Sequence, residues 1–217
     1  MSNIQVKICG ITTVANAETA GVAKADAIGF NFYAKSKRYV EPETAAKIAQ
    51  SVGGEVAFVG VFVNALVDEI ISISKTVSLT HVQLHGDEQP EIVARIREAL
   101  PDVKIVRAVR IMDNDIDAAQ SEINRWQTAG IDLILLDAGS LEAYGGTGEQ
   151  LDWAKLEKLS FDVPWLLAGG LGPENVAEAI RIAKPMGVDV ASGVESAPGL
   201  KDAERVNEFT LKAKALL

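Results

Sequence analysis

The stretch VKICGIT, residues 6–12, holds an apolar strand-length run that ends in Cys9, a glycine and a polar turn. The chain has one cysteine, so this thiol has no partner for an internal disulfide. The residues just after the run separate two architectures. A doubly wound nucleotide-binding sheet wants G-x-G-x-x-G after its first strand, and CGIT is not that fingerprint. Further along, similar short runs recur: AIGFNF (27–32), VAFVGVFV (56–63), HVQLH (81–85), KIVRAVRI (104–111), LILLD (133–137), PWLLAGG (164–170) and VDVASGV (188–194). They are rich in Val and Ile and mostly unbroken, as strands of a parallel sheet covered on both faces are.

Helical stretches lie between these runs. PETAAKIAQSV (42–52) puts Ala45, Ile48, Ala49 and Val52 on one stripe, and PENVAEAIRIA (173–183) does so with Val176, Ala179, Ile180 and Ala183. Pro42 and Pro173 stand where a helix can begin without a backbone N–H. Asp113 reads as the N-cap of DNDIDAAQSEINRW (113–126). Eight strand–helix units of about 27 residues fill the 217-residue chain, the size of a minimal (β/α)8 barrel. No linker, low-complexity segment or charge block divides it, so residues 1–217 are expected to form a single TIM-barrel domain with eight parallel strands.

A net charge of −9 argues against nucleic acid as a partner, since its phosphates would be repelled. A small anion in a locally positive pocket is still compatible with that charge. A single cysteine fits a reducing compartment. The opening MSNIQVKICG carries no signal-peptide pattern, and no apolar stretch is long enough for a membrane helix. Together these point to a cytoplasmic protein without a membrane partner. The acidic surface shows no evident apolar stripe and points to a monomer, with a homodimer as the alternative.

A barrel places its chemistry at the C-terminal ends of its strands. Cys9, Arg38 in SKRY, His85 and Asp137 all fall at or just beyond such ends, as do the glycines of GGTG (145–148), AGGLGP (168–173) and SGVE (192–195). Glycine loops that run into helices let backbone N–H groups approach an anion, and loops after the seventh and eighth strands favour phosphate over mere tight turns. SGVESAPG has room for a short extra helix. Lys7 and Cys9 share a strand face by period 2, so the ammonium is placed to lower the thiol pKa. The alternative for Cys9 is a small buried hydrophobe. Asp137 follows LILL, where a poorly hydrated carboxyl is suited to carrying a proton; its alternative is a turn aspartate. His81 and His85 lie four apart on one short strand without a third ligand, which argues against a metal site. Glu43, Glu91 and Glu178 read as solvated helix faces, and Trp126, Trp153 and Trp165 as packing residues.

Taken in order, KICGIT, GFNF…SKRYV, VGVFVN, VQLHGDE, LLDA…GGTGEQLDW, LLAGGLGPENV and GVDVASGVESAPGLKD resemble the phosphoribosylanthranilate isomerase family over essentially the whole chain. The resemblance implies a (β/α)8 barrel that needs no metal or organic cofactor. Its reaction would be the Amadori rearrangement of N-(5-phosphoribosyl)anthranilate to 1-(2-carboxyphenylamino)-1-deoxy-D-ribulose 5-phosphate in tryptophan biosynthesis. By the motif match Asp137 is the general acid and Cys9 the general base. The substrate-binding set is Lys7, Arg38 for the anthranilate carboxylate, His85 lining the pocket, and Gly146, Gly169, Gly170, Ser192 and Gly193. The last four of these would hold the phosphate on their backbone. Two departures stand out: Lys37 occupies a position where the family often has proline, and Ala191 one where Asn or Ser is common. Rival readings are an aldolase, for which Lys7 lies too deep in its strand; the related histidine-pathway isomerase, which would want aspartate at position 9; other phosphosugar epimerases; and a silent metabolite-binding barrel.

Overall fold

The computed structural model describes residues 4–52, 56–112, 114–138 and 152–217. Its strands follow chain order around a closed parallel barrel: β1 (Val6–Cys9), β2 (Ala27–Asn31), β3 (Ala57–Phe62), β4 (His81–Leu84), β5 (Lys104–Ile111), β6 (Leu133–Ala138), β7 (Trp165–Leu167) and β8 (Gly187–Val190). The ring closes where β1 pairs with β8, with Lys7 opposite Asp189. Seven α-helices lie outside it among the described residues: α1 (Val14–Val22), α2 (Pro42–Ser51), α3 (Val67–Val77), α4 (Ile92–Ala99), α5 (Ile116–Ala129), α6 (Val176–Ala183) and α7 (Ala203–Lys214).

The strands read as unbroken apolar runs because each face has its own packing partner. Ala27, Val59, Val106, Ala108, Leu133, Leu135 and Leu166 point inward and fill the barrel. The alternate residues, such as Ile8, Ile28, Phe30, Val82, Ile105, Ile134 and Val188, point outward and pack under the helices. Against them α2 lays Ala45, Ile48 and Ala49, and α6 lays Val176, Ala179 and Ile180. Trp126 is fully buried, Trp153 nearly so and Trp165 half-buried, all within this shell. Glu43, Glu91 and Glu178 are exposed.

Four local expectations are refined. Pro42 does open α2, but Pro173 sits in a turn ahead of α6, whose N-cap is Asn175. The N-cap of α5 is Asp115, which accepts from the Ala118 N–H at 3.0 Å; Asp113 lies outside the described residues. After β6 the next described element is a 3-10 helix, Trp153–Lys158, rather than an α-helix. The extra element after β8 is a 3-10 turn, Ser192–Val194, and it leads into a hairpin of β9 (Glu195–Ala197) and β10 (Leu200–Lys201). No helix among the described residues is long and apolar enough to cross a membrane.

His81 is buried at the inward-facing start of β4, opposite Val59, and its Nδ1 lies 2.8 Å from the Thr80 hydroxyl. Burial, aided by the Lys104 ammonium, lowers its pKa to about 4. The unfolded chain therefore takes up this proton near pH 6.5 while the folded chain resists it, so stability falls as pH drops through that window. We expect His81→Gln to remove a share of acid destabilisation of up to about 3 kcal/mol between pH 7 and pH 4. Urea unfolding at a series of pH values measures it, and identical pH slopes in the two proteins would contradict it.

Candidate active site

Cys9 and Asp137 end β1 and β6 on the inward face of the barrel. Cys9 alternates with the outward Ile8, and Asp137 continues the inward series of Leu133 and Leu135. The two strands stand across the ring from each other, and both residues lie at its C-terminal mouth. Space for the thiol is made by Gly29, paired with Cys9 in register on β2: a Cβ there would lie 2.8 Å from Sγ.

Below the thiol, Lys7 Nζ donates to Asp189 Oδ1 at 2.9 Å, with the lysine side chain 1% exposed. Burial would lower the Lys7 pKa, but Asp189 first and Cys9 after it raise it above the usual lysine value. This pairing alters the expectation for Cys9. Burial pushes the thiol up, and neither Lys7 nor the nearby Lys201 fully offsets it, while Asp189 adds to the rise. The lysine on the same strand face is there, but its charge is shared with a carboxylate from the last strand, so the ligand-free thiol is protonated at neutral pH.

On the opposite side His85 Nε2 lies 3.3 Å from Asp137 Oδ2, both side chains being buried. Gln83, two residues earlier on the same face, places its Nε2 2.9 Å from His85 Nδ1. Gln83 thus holds the ring with its Nε2 edge facing the Asp137 carboxyl group. His81 and His85 have different polar partners, Thr80 and Gln83.

The two glycine loops beyond β7 and β8 touch. A Cβ on Gly193 would lie 1.9 Å from the Leu171 carbonyl oxygen, so only glycine permits this approach. Gly169 and Gly170 both take positive φ, +87° and +63°. Side chains turn the loop carbonyls away: Asn175 Nδ2 donates to Gly170 O at 2.9 Å, and Arg205 donates twice to Gly193 O, at 2.9 and 2.7 Å. The N–H groups of Gly169 and Gly170 find no acceptor among the described residues. The result is a backbone cradle suited to an anion. Gly146 lies outside the described residues.

Arg38, half-buried, lays its stem over Gly10, which holds φ +77° and has no room for a Cβ. The guanidinium therefore sits beside the residue after Cys9.

A family model described as N-(5'phosphoribosyl)anthranilate (PRA) isomerase matches residues 6–212 of this chain. The chain belongs to that family. The PRA isomerase of Myxococcus xanthus is 44% identical over 216 residues, covering 99% of this chain and 98% of the relative. The crystal structure of phosphoribosyl anthranilate isomerase from Thermotoga maritima superposes with a TM-score of 0.84 at 37% identity, over 98% of this chain and 100% of that one. A phosphoribosyl anthranilate isomerase in complex with reduced 1-(o-carboxyphenylamino)-1-deoxyribulose 5-phosphate superposes with a TM-score of 0.80 at 36% identity, over the same shares of the two chains. The eight-stranded parallel barrel is thus the fold of PRA isomerases.

Sequence reading brought Cys9, Asp137, His85, Arg38 and the glycine loops to this mouth, and placed Lys7 one layer below it. It missed Gln83, Asp189, Glu195, Lys201 and Arg205, all of which hold those groups in place. Gln83 and Asp189 were findable by period 2, since each shares an inward face with a residue already singled out. Arg205 carries no signal on its helix.

The thiol is open to two tests. Its alkylation by iodoacetamide in the ligand-free protein should have a pH midpoint above that of an ordinary thiol, and a midpoint at or below neutrality would contradict the burial argument. Gly29→Ala should displace Sγ and change the alkylation rate at fixed pH by at least about tenfold without loss of the far-UV dichroism. An unchanged rate would show that the thiol does not depend on that gap.

Proposed function

We propose that this chain is an N-(5-phosphoribosyl)anthranilate isomerase of cytoplasmic tryptophan biosynthesis, with Asp137 as general acid and Cys9 as general base. The observation that carries the reading is the placement of one thiol and one carboxyl on the inner wall at the same mouth, across the ring from each other, with a backbone anion cradle between their strands at β7 and β8.

The phosphate rests on the backbone of Gly169, Gly170, Ser192 and Gly193, whose neutral donors hold an anion on a protein of net charge −9. Gly146 joins the substrate-binding set by its motif alone. The anthranilate carboxylate faces Arg38. Between these two anchors the pentose spans the mouth, with its reacting carbons between Asp137 and Cys9. Asp137 donates a proton to the furanose ring oxygen, the C1′–O bond breaks, and the anilino nitrogen supplies the electrons that form a cationic Schiff base. His85, held by Gln83, lines this side with its ring 3.3 Å from the Asp137 carboxyl group.

The Schiff base acidifies the C2′ hydrogen. It also brings a positive charge beside a thiol that burial otherwise keeps protonated, which favours the thiolate. Lys7 and Lys201 act in the same direction. The thiolate is therefore favoured when the intermediate that needs a base is present. Cys9 removes the C2′ proton, and the enolamine tautomerises to the ketose.

Substrate carrying anthranilate fluoresces, and product much less, so adding the protein to authentic substrate should make the signal decay. A flat trace would remove this function. Cys9→Ser and Asp137→Asn should each lower kcat by at least about 10³-fold while still binding a reduced product analogue. Near-full turnover in either variant would retire that residue's role.

A further inference from the structure

Beyond Cys9, Asp137 and the glycine cradle, the mouth holds a buried carboxylate with two cationic partners. Glu195 opens β9, and its side chain is 4% exposed. Its Oε1 accepts from Arg38 Nε at 2.8 Å and from Lys201 Nζ at 2.8 Å, and its Oε2 accepts from Arg38 Nη2 at 2.8 Å. Lys201, on β10, is 0% exposed at its side chain and also donates to the Ala191 carbonyl at 3.0 Å. The Glu195 carboxylate thus ties the loop after β2 to both arms of the hairpin, and Lys201 extends the link to the end of β8.

The hairpin is itself pinned. The Lys201 N–H donates to Asn16 Oδ1 at 3.1 Å, and Asn16 Nδ2 and the Thr12 hydroxyl both donate to Gly199 O, at 2.8 and 2.7 Å. Glu195 therefore stands on a support independent of Arg38. Burial would raise its pKa, but the hydrogen bonds from Arg38 and Lys201 hold it below the usual carboxylate range, so it is ionised at neutral pH.

Two cations around one anion leave a net positive charge. The Nε–Nη2 edge of Arg38 is taken by Glu195 in a bidentate fork, which fixes the plane of the guanidinium. Nη1 makes no hydrogen bond among the described residues, which leaves the outer edge for a ligand. A long, flexible side chain in a surface loop would otherwise sample many rotamers and would lose that freedom on each binding event.

We propose that Glu195, braced by Lys201, is the positioning residue that aims Arg38 at the substrate's aromatic carboxylate, and so sets the preference for a carboxylated over an uncarboxylated anilino sugar phosphate. This rests on the reading of Arg38 as the carboxylate's partner. It assigns a binding task to the hairpin, an addition to the eight-stranded ring.

The test compares two stable ligands, the reduced 2-carboxyphenylamino ketose phosphate and its phenylamino counterpart, titrated against the unaltered protein, Arg38→Gln and Glu195→Gln. Arg38→Gln should abolish the preference for the carboxylated ligand. Glu195→Gln should weaken the carboxylated ligand at least about tenfold and the phenylamino ligand less than about twofold. If Glu195→Gln weakens both equally, or neither, while Arg38→Gln abolishes the preference, Glu195 does not aim Arg38 and the proposal fails alone. If Arg38→Gln keeps the preference, the assignment of Arg38 fails and takes this proposal with it. Should Glu195→Gln not fold, Glu195→Asp keeps the charge but withdraws the fork by one methylene, and the same split between ligands is expected.

Discussion

The structure depends on an ion pair at its seam. Lys7 on β1 and Asp189 on β8 meet at 2.9 Å inside the barrel, where the first and last strands of the ring pair. Neither charge has water enough to stand alone, and losing one partner would strand the other at a cost of about 3–5 kcal/mol. The pair therefore favours the one register that brings the ends of the chain together. It also sets the electrostatics of the site, because the cation beneath Cys9 is matched by an anion. Burial pushes the thiol up, and the Lys7 charge, shared with Asp189, does not offset it.

Acidic overall, the protein carries two different local devices suited to an anionic ligand. At the glycine loops the donors are backbone dipoles, made available because Asn175 and Arg205 hold the carbonyls outward. At Arg38 the donor is a full charge, held in a fork by Glu195 and, through it, by Lys201. The first device binds without side-chain entropy, and the second gains orientation from a buried network. On the proposed reading, a ligand with a phosphate at one end and a carboxylate at the other is fixed at both ends, with its middle facing the thiol and the carboxyl.

Much of the fold is legible from period and punctuation. VKIC, AIGFN and VAFVGVF read as strands because both of their faces are covered, one by the inner cluster around Leu135 and one by helices. Asp137, His85 and the glycines read as a site because barrel strands end where they stand. Other features depend on closure and cannot be seen along the chain. The Lys7 charge beneath the thiol is matched by Asp189, 180 residues downstream of Cys9 and brought beside Lys7 only when the ring shuts. The Glu195 fork depends on a hairpin that the pattern SGVESAPG, read as room for a short extra helix, does not announce. Pro173 misplaced a helix start because proline serves equally in the turn before α6, and the cap of α5 is Asp115, whose side chain reaches the Ala118 N–H.

The central claim is that Cys9 and Asp137 act on a single pentose from opposite walls of one mouth. A crystal structure of this protein with the reduced product analogue tests it most directly. The account predicts Sγ of Cys9 beside C2′ and a carboxyl oxygen of Asp137 within hydrogen-bonding reach of the sugar oxygen freed by ring opening, with the phosphate on the glycine amides. A ligand seated so that only one of the two groups reaches the sugar, or with its phosphate away from Gly170 and Gly193, would contradict it.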